Sequence, residues 1–309
     1  MTVPVKLSLF FVLFFCASVS SLLAQSLAEL YPLEDRADSL EKAGNYGEAI
    51  KILLKTSSYP NAGPFDEKSL TKLYLLEKNN AEAEKHLRLG ISRGLDTDKL
   101  NNEPLIKAFI TRPDFQTVYQ KYRRVYNSSL LYPDERLELA QMIERDQFPR
   151  NYIGRVKTEV IYPIMREVDS ANTQEFKEVI QRIGFPGIKQ VGIDGEQSAF
   201  TILLHIFLDG VNDEADMAYF EPIMKKAVLN GSFEPYYFTL IVDRYNAMKF
   251  NYQVYGSYWV PDKATKLKAI TTIKNIEDVD KRRAEIYLPP LIKLKEGGYL
   301  LPKEYVYKK

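Results

Sequence analysis

From Leu27 onward the apolar residues recur three and four positions apart along almost the whole chain, and that spacing commits it to helices. Residues so spaced share one face of an α-helix, and each such face must be buried against a neighbour. The expectation is an all-α fold: N-terminal helical hairpins, then a mostly helical C-terminal domain. One segment departs from the pattern. Gln253–Val260 (QVYGSYWV) sets Tyr, Val and Trp around a central Gly, which predicts an extended, aromatic-rich stretch.

Residues 1–24 follow a different logic. One cation, Lys6, precedes the apolar run Leu7–Phe15; the small residues Ala17, Ser18, Ser20 and Ser21 follow, and Ala24 closes the segment. That is the order of a secretory signal peptide, with cleavage expected near Ala24. An uncleaved anchor needs about 20 apolar residues, and serines interrupt this run too early. Lipidation of Cys16 would want a small residue before it, where Phe15 stands. The chain is therefore expected to be exported, periplasmic or secreted, with no transmembrane span once the signal is removed. Cys16 is the only cysteine, so the mature chain has no disulfide, no thiolate metal site and no cysteine nucleophile. Lys and Arg number 42 against 41 Asp and Glu, and this near balance gives no electrostatic reason to bind nucleic acid.

Between Leu27 and Arg93 the pattern predicts two hairpins. Ala43-Gly44-Asn45-Tyr46-Gly47-Glu48-Ala49-Ile50 resembles the turn and second-helix start of a tetratricopeptide repeat, where Gly turns the chain and a small Ala lets helices approach. The second hairpin, Lys72–Gly94, has Asn79-Asn80 at its turn and Ala83 at the small position. The polar stretch Asn127–Pro133 predicts a boundary. It separates a tetratricopeptide-like module (25–130) from a helical domain (131–309). Helices are expected there over Asp134–Asp146, Tyr152–Ser170, Thr173–Ile183, Asp194–Leu208, Ala215–Leu229, Glu234–Met248 and Val279–Ile286. Pro163 should kink the second, Asn172 should cap the third, and Gly184-Phe185-Pro186-Gly187 should end it.

No catalytic motif is present: there is no nucleophile elbow, phosphate loop, His-Glu-x-x-His pair or calcium loop, and nothing calls for a cofactor or metal. Polar residues inside apolar helices are the informative feature. His205 lies within Ala199–Leu208 and Asp243-Arg244 within Tyr236–Tyr245, both apolar, so each polar group needs a buried partner. Asp243 is the first choice for His205 and Asp146 the second. A satisfied structural pair and a functional site are both consistent with this pattern. Asp146, Gln147 and Arg150 share one helical turn and complete the polar set.

Met142…Asp146-Gln147-x-x-Arg150, Asp169-x-x-Asn172, Gly184-Phe185-Pro186, Gly192, His205, Asp243-Arg244, Gln253-x-Tyr255-Gly256 and Arg282-Arg283 follow in the order of one domain. The set resembles a bacterial domain family of unknown function, over about residues 137–297. The resemblance implies His205 and Asp243 as catalytic candidates and Asp146, Gln147, Arg150, Arg244, Gln253 and Tyr255 as binding candidates, without assigning chemistry. The family usually has Trp at Phe185, Gln at Leu204 and Thr-Gln at Ser257-Tyr258, so part of any site built on those Gln is missing. Three function classes follow. The first is a non-catalytic binding protein for an unknown protein or small ligand. The second is a hydrolase using His205 and Asp243 with Arg150 or Arg244, and the third a purely structural protein.

Overall fold

In the computed structural model, which describes residues 30, 32–59, 63–207 and 213–307, Gly and Asn turn the chain at both expected hairpins. The expectations for residues 1–24 lie outside the described residues. Helix α1 (32–42) turns at Gly44, whose φ of 76° suits a residue without Cβ, into α2 (Tyr46–Thr56). Helices α3 (Pro64–Leu76) and α4 (Asn80–Ser92) turn through Lys78, and Asn79 Oδ1 caps α4 by accepting from Glu82 N. Ala49 and Ala83, the small positions, are fully buried. Two short helices, α5 (Thr97–Asn101) and α6 (Pro104–Phe109), and then α7 (Phe115–Ser129) follow.

The chain divides into two compact units, Met1–Tyr126 and Asn127–Lys309. Asn127–Ser129 belong to the last turn of α7 instead of a linker, because exposed Asn and Ser are tolerated at a helix end; only residues 130–132 separate α7 from α8.

In the second unit α8 (Pro133–Arg150), α9 (Thr158–Ile183) and α10 (Ile188–Ile206) pack against one another, with α11 (Asp213–Leu229) and α12 (Pro235–Phe250) completing the core. Phe176, Leu203, Phe220 and Phe238 lie at its centre. Three helix expectations are corrected. The break at Asn172 does not occur. Asn172 is buried inside a single 26-residue helix, where its amide donates to Met142 O and its Oδ1 accepts from Arg145, so its hydrogen bonds run sideways to α8. Helix α8 continues past Asp146, its last turn tied by Arg150 Nη1 donating to Asp146 O. Helix α10 starts earlier, at Ile188, and is interrupted at Gly192 (φ 74°, ψ 176°), a conformation open to Gly.

The expected extended segment forms only in part: residues 254–256 bend, Gly256 at φ 72°, and Trp259 and Val260 enter a small sheet that the sequence did not reveal. Strand β1 (Trp259–Pro261) pairs antiparallel with β2 (Lys268–Ile270), which pairs parallel with β3 (Tyr299–Leu300). Strands of two and three residues are too short to show alternation. The helix α13 (Val279–Ala284) and the small cluster Ile270, Ile273, Val279 and Leu291 seal this end. No described helix is long and apolar enough to cross a membrane.

Candidate functional site

Three helices bring their polar residues to one place. His205, in the last turn of α10, donates from Nδ1 to Asp146 on α8, at 2.9 Å from Oδ1 and 2.8 Å from Oδ2. Asp146 is 1% exposed and is gripped twice more, by Gln147 Nε2 at 2.6 Å and by Arg150 Nη1 at 2.9 Å. The other end of the Arg150 guanidinium meets both oxygens of Asp169 on α9, at 2.8 and 2.9 Å. Arg150 thus bridges two buried carboxylates, which a cation would otherwise have to neutralise. Burial raises the Asp169 carboxyl above its ordinary range, and Arg150 opposes the rise. With His205 neutral, the group of Asp146, Asp169 and Arg150 carries one negative charge, and a proton on His205 would cancel it.

Because Nδ1–H points at Asp146, the neutral imidazole carries its lone pair on Nε2. The His205 side chain stays 15% exposed, and Nε2 has no hydrogen-bond partner among the described residues. The first unit offers a closed counterpart. There His86 Nδ1 meets Glu67 at 2.7 Å and Arg93 holds the same carboxylate at 2.6 Å, but His86 is buried and its Nε2 is sealed off.

Arg244 on α12 completes the arrangement. Its Nε is buried with no hydrogen-bond partner, and no carboxylate pairs with it among the described residues. Burial pulls its guanidinium below the ordinary value; Tyr258 opposes this, while the nearby Arg150 charge adds to it. Two guanidiniums repel here, and only one of them has carboxylate partners.

Asp243 is not the partner of His205. It is fully buried, and its two oxygens accept from Val254 N (2.6 Å), Tyr255 N (2.8 Å), Ser257 N (2.7 Å) and Ser257 Oγ (2.7 Å). Those donors satisfy the carboxylate within the extended segment, so the sequence's second choice, Asp146, takes the histidine. Gln253 and Tyr255 also hold that segment together. Gln253 is fully buried; its Oε1 accepts from Tyr258 N and its Nε2 donates to Thr271 Oγ1. Tyr255 packs against Phe238 with centroids 5.8 Å apart, and burial pushes its phenol up to about 12. Arg283 and Arg282 finish the clamp by donating to Tyr255 O and Val254 O.

Asp169 is the network member that the sequence reading placed beside a helix cap. Its signal was the Asp169-x-x-Asn172 spacing, which puts both side chains on the face of α9 that meets α8. Among the described residues no group of three or more His, Cys, Asp or Glu is placed to hold a metal ion.

No curated protein and no solved structure matches the chain. Residues 133–305, more than half of its length, match the family described as Family of unknown function (DUF6624), and the chain belongs to that family.

Proposed function

We propose that this is an exported binding protein whose C-terminal unit takes a small anionic ligand beside the His205–Asp146–Arg150–Asp169 network. One observation carries the reading: Arg244 keeps a half-buried guanidinium, with Nε sealed from solvent, and no carboxylate among the described residues answers it. An uncompensated cation next to a second guanidinium is costly, and an anion relieves that cost with charge-assisted hydrogen bonds. His205 supplies a further polar contact, since its free Nε2 accepts when neutral and donates when protonated. The Lys6, Leu7–Phe15, Ala24 pattern supports export.

Titration with inorganic phosphate and sulfate, followed by calorimetry, tests this. The wild-type chain should bind at least one of them, and Arg244→Gln should weaken that binding about tenfold or more, the scale of a hydrogen bond to a charged group. An affinity that Arg244→Gln leaves unchanged would remove the proposal's support.

A second reading is favoured by the imidazole itself. A histidine oriented by a buried carboxylate, with the opposite nitrogen free, is the arrangement of a general base. Asp146, not Asp243, fills the orienting role. On this reading His205 takes a proton from water attacking the phosphorus of an anionic ester held by Arg244, and the ester P–O bond breaks as the alcohol leaves with its electron pair. Turnover of 4-nitrophenyl phosphate that disappears in His205→Gln, while phosphate binding persists, would select the enzyme.

A further inference from the structure

Large apolar side chains crowd the tip of the α8–α9 hairpin. Phe148, Tyr152, Ile153, Val160, Tyr162 and Ile164, all within residues 148–164, are each between 41 and 66% exposed. Exposed apolar residues scattered singly are ordinary, but a cluster of this kind marks a surface that something covers. The register of the hairpin explains why they are bare. Arg182 pairs with Glu138 and Arg150 with Asp169, so α8 and α9 run antiparallel with Asp169 level with the end of α8. Residues 158–168 of α9 therefore run past that end, by about 16 Å at the helical rise.

Two features choose the occupant. The first is charge. The whole chain carries 42 Lys and Arg against 41 Asp and Glu, yet residues 147–166 hold Arg150, Arg155, Lys157 and Arg166 against Glu159 alone. Arg150 is taken up by Asp146 and Asp169, but Arg155 and Lys157 are exposed and form no ion pair among the described residues. Their complement is a negatively charged surface. The second feature is how the apolar residues are spread. Ile161 and Met165 are buried and mark the inner side of the projecting turns. Val160 and Ile164 lie on one flank, and Tyr162 lies about 160–200° further round the helix. A groove in a partner protein covers one face of a helix, whereas an apolar medium covers both flanks together. The rings of Phe148, Tyr152 and Tyr162 suit the boundary between lipid headgroups and acyl chains, where aromatic side chains gather. No described helix is long and apolar enough to cross a membrane, so the contact belongs to the bilayer surface.

We propose that the α8–α9 tip docks on a bilayer that bears anionic phospholipids. Phe148, Ile153, Val160 and Tyr162 enter the headgroup boundary, and Arg155 and Lys157 meet the phosphates. Binding of this kind draws both on buried apolar area and on attraction to anionic lipid, and it reaches about 5–10 Å into the surface. Neither His205 nor Arg244 takes part, so the tip and the anion site proposed above stand or fall separately.

Vesicle flotation tests this with the chain from Gln25 onward, so that the apolar run Leu7–Phe15 cannot itself hold lipid. Each variant is checked for an unchanged circular dichroism spectrum. The wild-type chain should bind equal mixtures of phosphatidylcholine and phosphatidylglycerol, bind phosphatidylcholine alone far more weakly, and lose that difference at high salt. Arg155→Glu with Lys157→Glu should weaken binding to the mixture about twentyfold or more, at least about fivefold for each cation, and leave phosphatidylcholine unchanged. Phe148→Ser with Ile153→Ser replaces two exposed residues and should weaken binding to both lipids about tenfold or more. Arg244→Gln should change neither. Insertion is read separately. Ile153→Cys supplies the single cysteine of this chain, and an environment-sensitive dye on it should shift to the blue with mixed vesicles. The same dye at Leu137→Cys, about 20 Å back along α8 from its end, should not shift. No binding by the wild-type chain, or binding that the tip substitutions leave unchanged, overturns the assignment. So does a dimer in sedimentation equilibrium that Phe148→Ser with Ile153→Ser dissociates, which would give the tip to a second copy of the chain.

Discussion

Asp146 and Asp243 are both buried in the second unit, and their partners give them different roles. Asp146 is shared among a histidine, a glutamine and an arginine, all of them side chains, and the histidine reaches solvent. Asp243 is enclosed by three backbone N–H groups and a hydroxyl from residues 254–257. The sequence placed Asp243 among apolar neighbours and Asp146 in a polar helical turn, and chose the wrong one of the two for His205. The reason is physical: backbone donors leave no mark in a sequence, so nothing in Val254–Ser257 announced that Asp243 was already satisfied. A double-mutant cycle checks the correction. His205→Gln combined with Asp146→Asn should show a coupling of about 1 kcal/mol or more, whereas His205→Gln combined with Asp243→Asn should be additive within about 0.5 kcal/mol. The reverse ranking would restore the original pairing. Asp243→Ala is expected to cost about 3–5 kcal/mol in urea unfolding, because four donors lose their acceptor at once in a sealed site. A loss below 1 kcal/mol would show that the extended segment does not depend on this carboxylate.

Helices were legible where apolar spacing alone decides them and less so where a polar residue sits in a helix for tertiary reasons. Asn172 looked like a cap because Asn favours helix starts, yet its amide bridges α8 and α9 and the helix runs through it. The strands β2 and β3 were invisible because three or two residues carry no period. One pair of elements also predicts how stability follows pH. Glu196 on α10 is 6% exposed and accepts a hydrogen bond from Glu234 N at the start of α12. Burial, with the Glu234 charge second, raises its carboxyl from 4.5 to about 8. The folded state therefore holds a proton that the unfolded chain releases near 4.5. This contribution to stability is complete below that pH and is lost as pH rises through about 8. Tyr237, its other titratable neighbour, has its phenol raised chiefly by burial and so stays uncharged across this window. Urea midpoints between pH 5 and 8 should fall for the wild-type chain. Glu196→Gln should flatten that slope and be the more stable form at pH 8. Equal slopes for the two proteins would show that Glu196 titrates normally.

At the scale of the molecule, Cys16 is the one cysteine in the sequence, so no disulfide can form within it and stability must come from packing. Each unit has the cores to supply it. Leu53, Leu70 and Leu73 form one cluster of the first unit, and Leu87, Ile91, Leu95 and Ile106 another. Phe176, Leu203, Phe220 and Phe238 belong to the large cluster of the second unit, built entirely from residues 139–288. A unit that buries its apolar surface against its own residues has the means to fold by itself. The sequence-derived signal leads to the expectation that the exported chain starts at Gln25 or a near neighbour, which mass spectrometry of the intact protein reads directly. The two cores lead to a sharper one. Leu73→Ala and Phe176→Ala each remove a fully buried side chain and should each cost about 2–5 kcal/mol. If the units unfold independently, Leu73→Ala lowers one calorimetric transition and leaves the other in place, and Phe176→Ala does the opposite. Hydrogen exchange should then show faster opening confined to residues before 127 in the first variant and after it in the second. If either substitution instead moves every transition and every protected amide together, the chain unfolds as a single cooperative body, and the ligand sites of the second unit would have to be studied with the first unit attached.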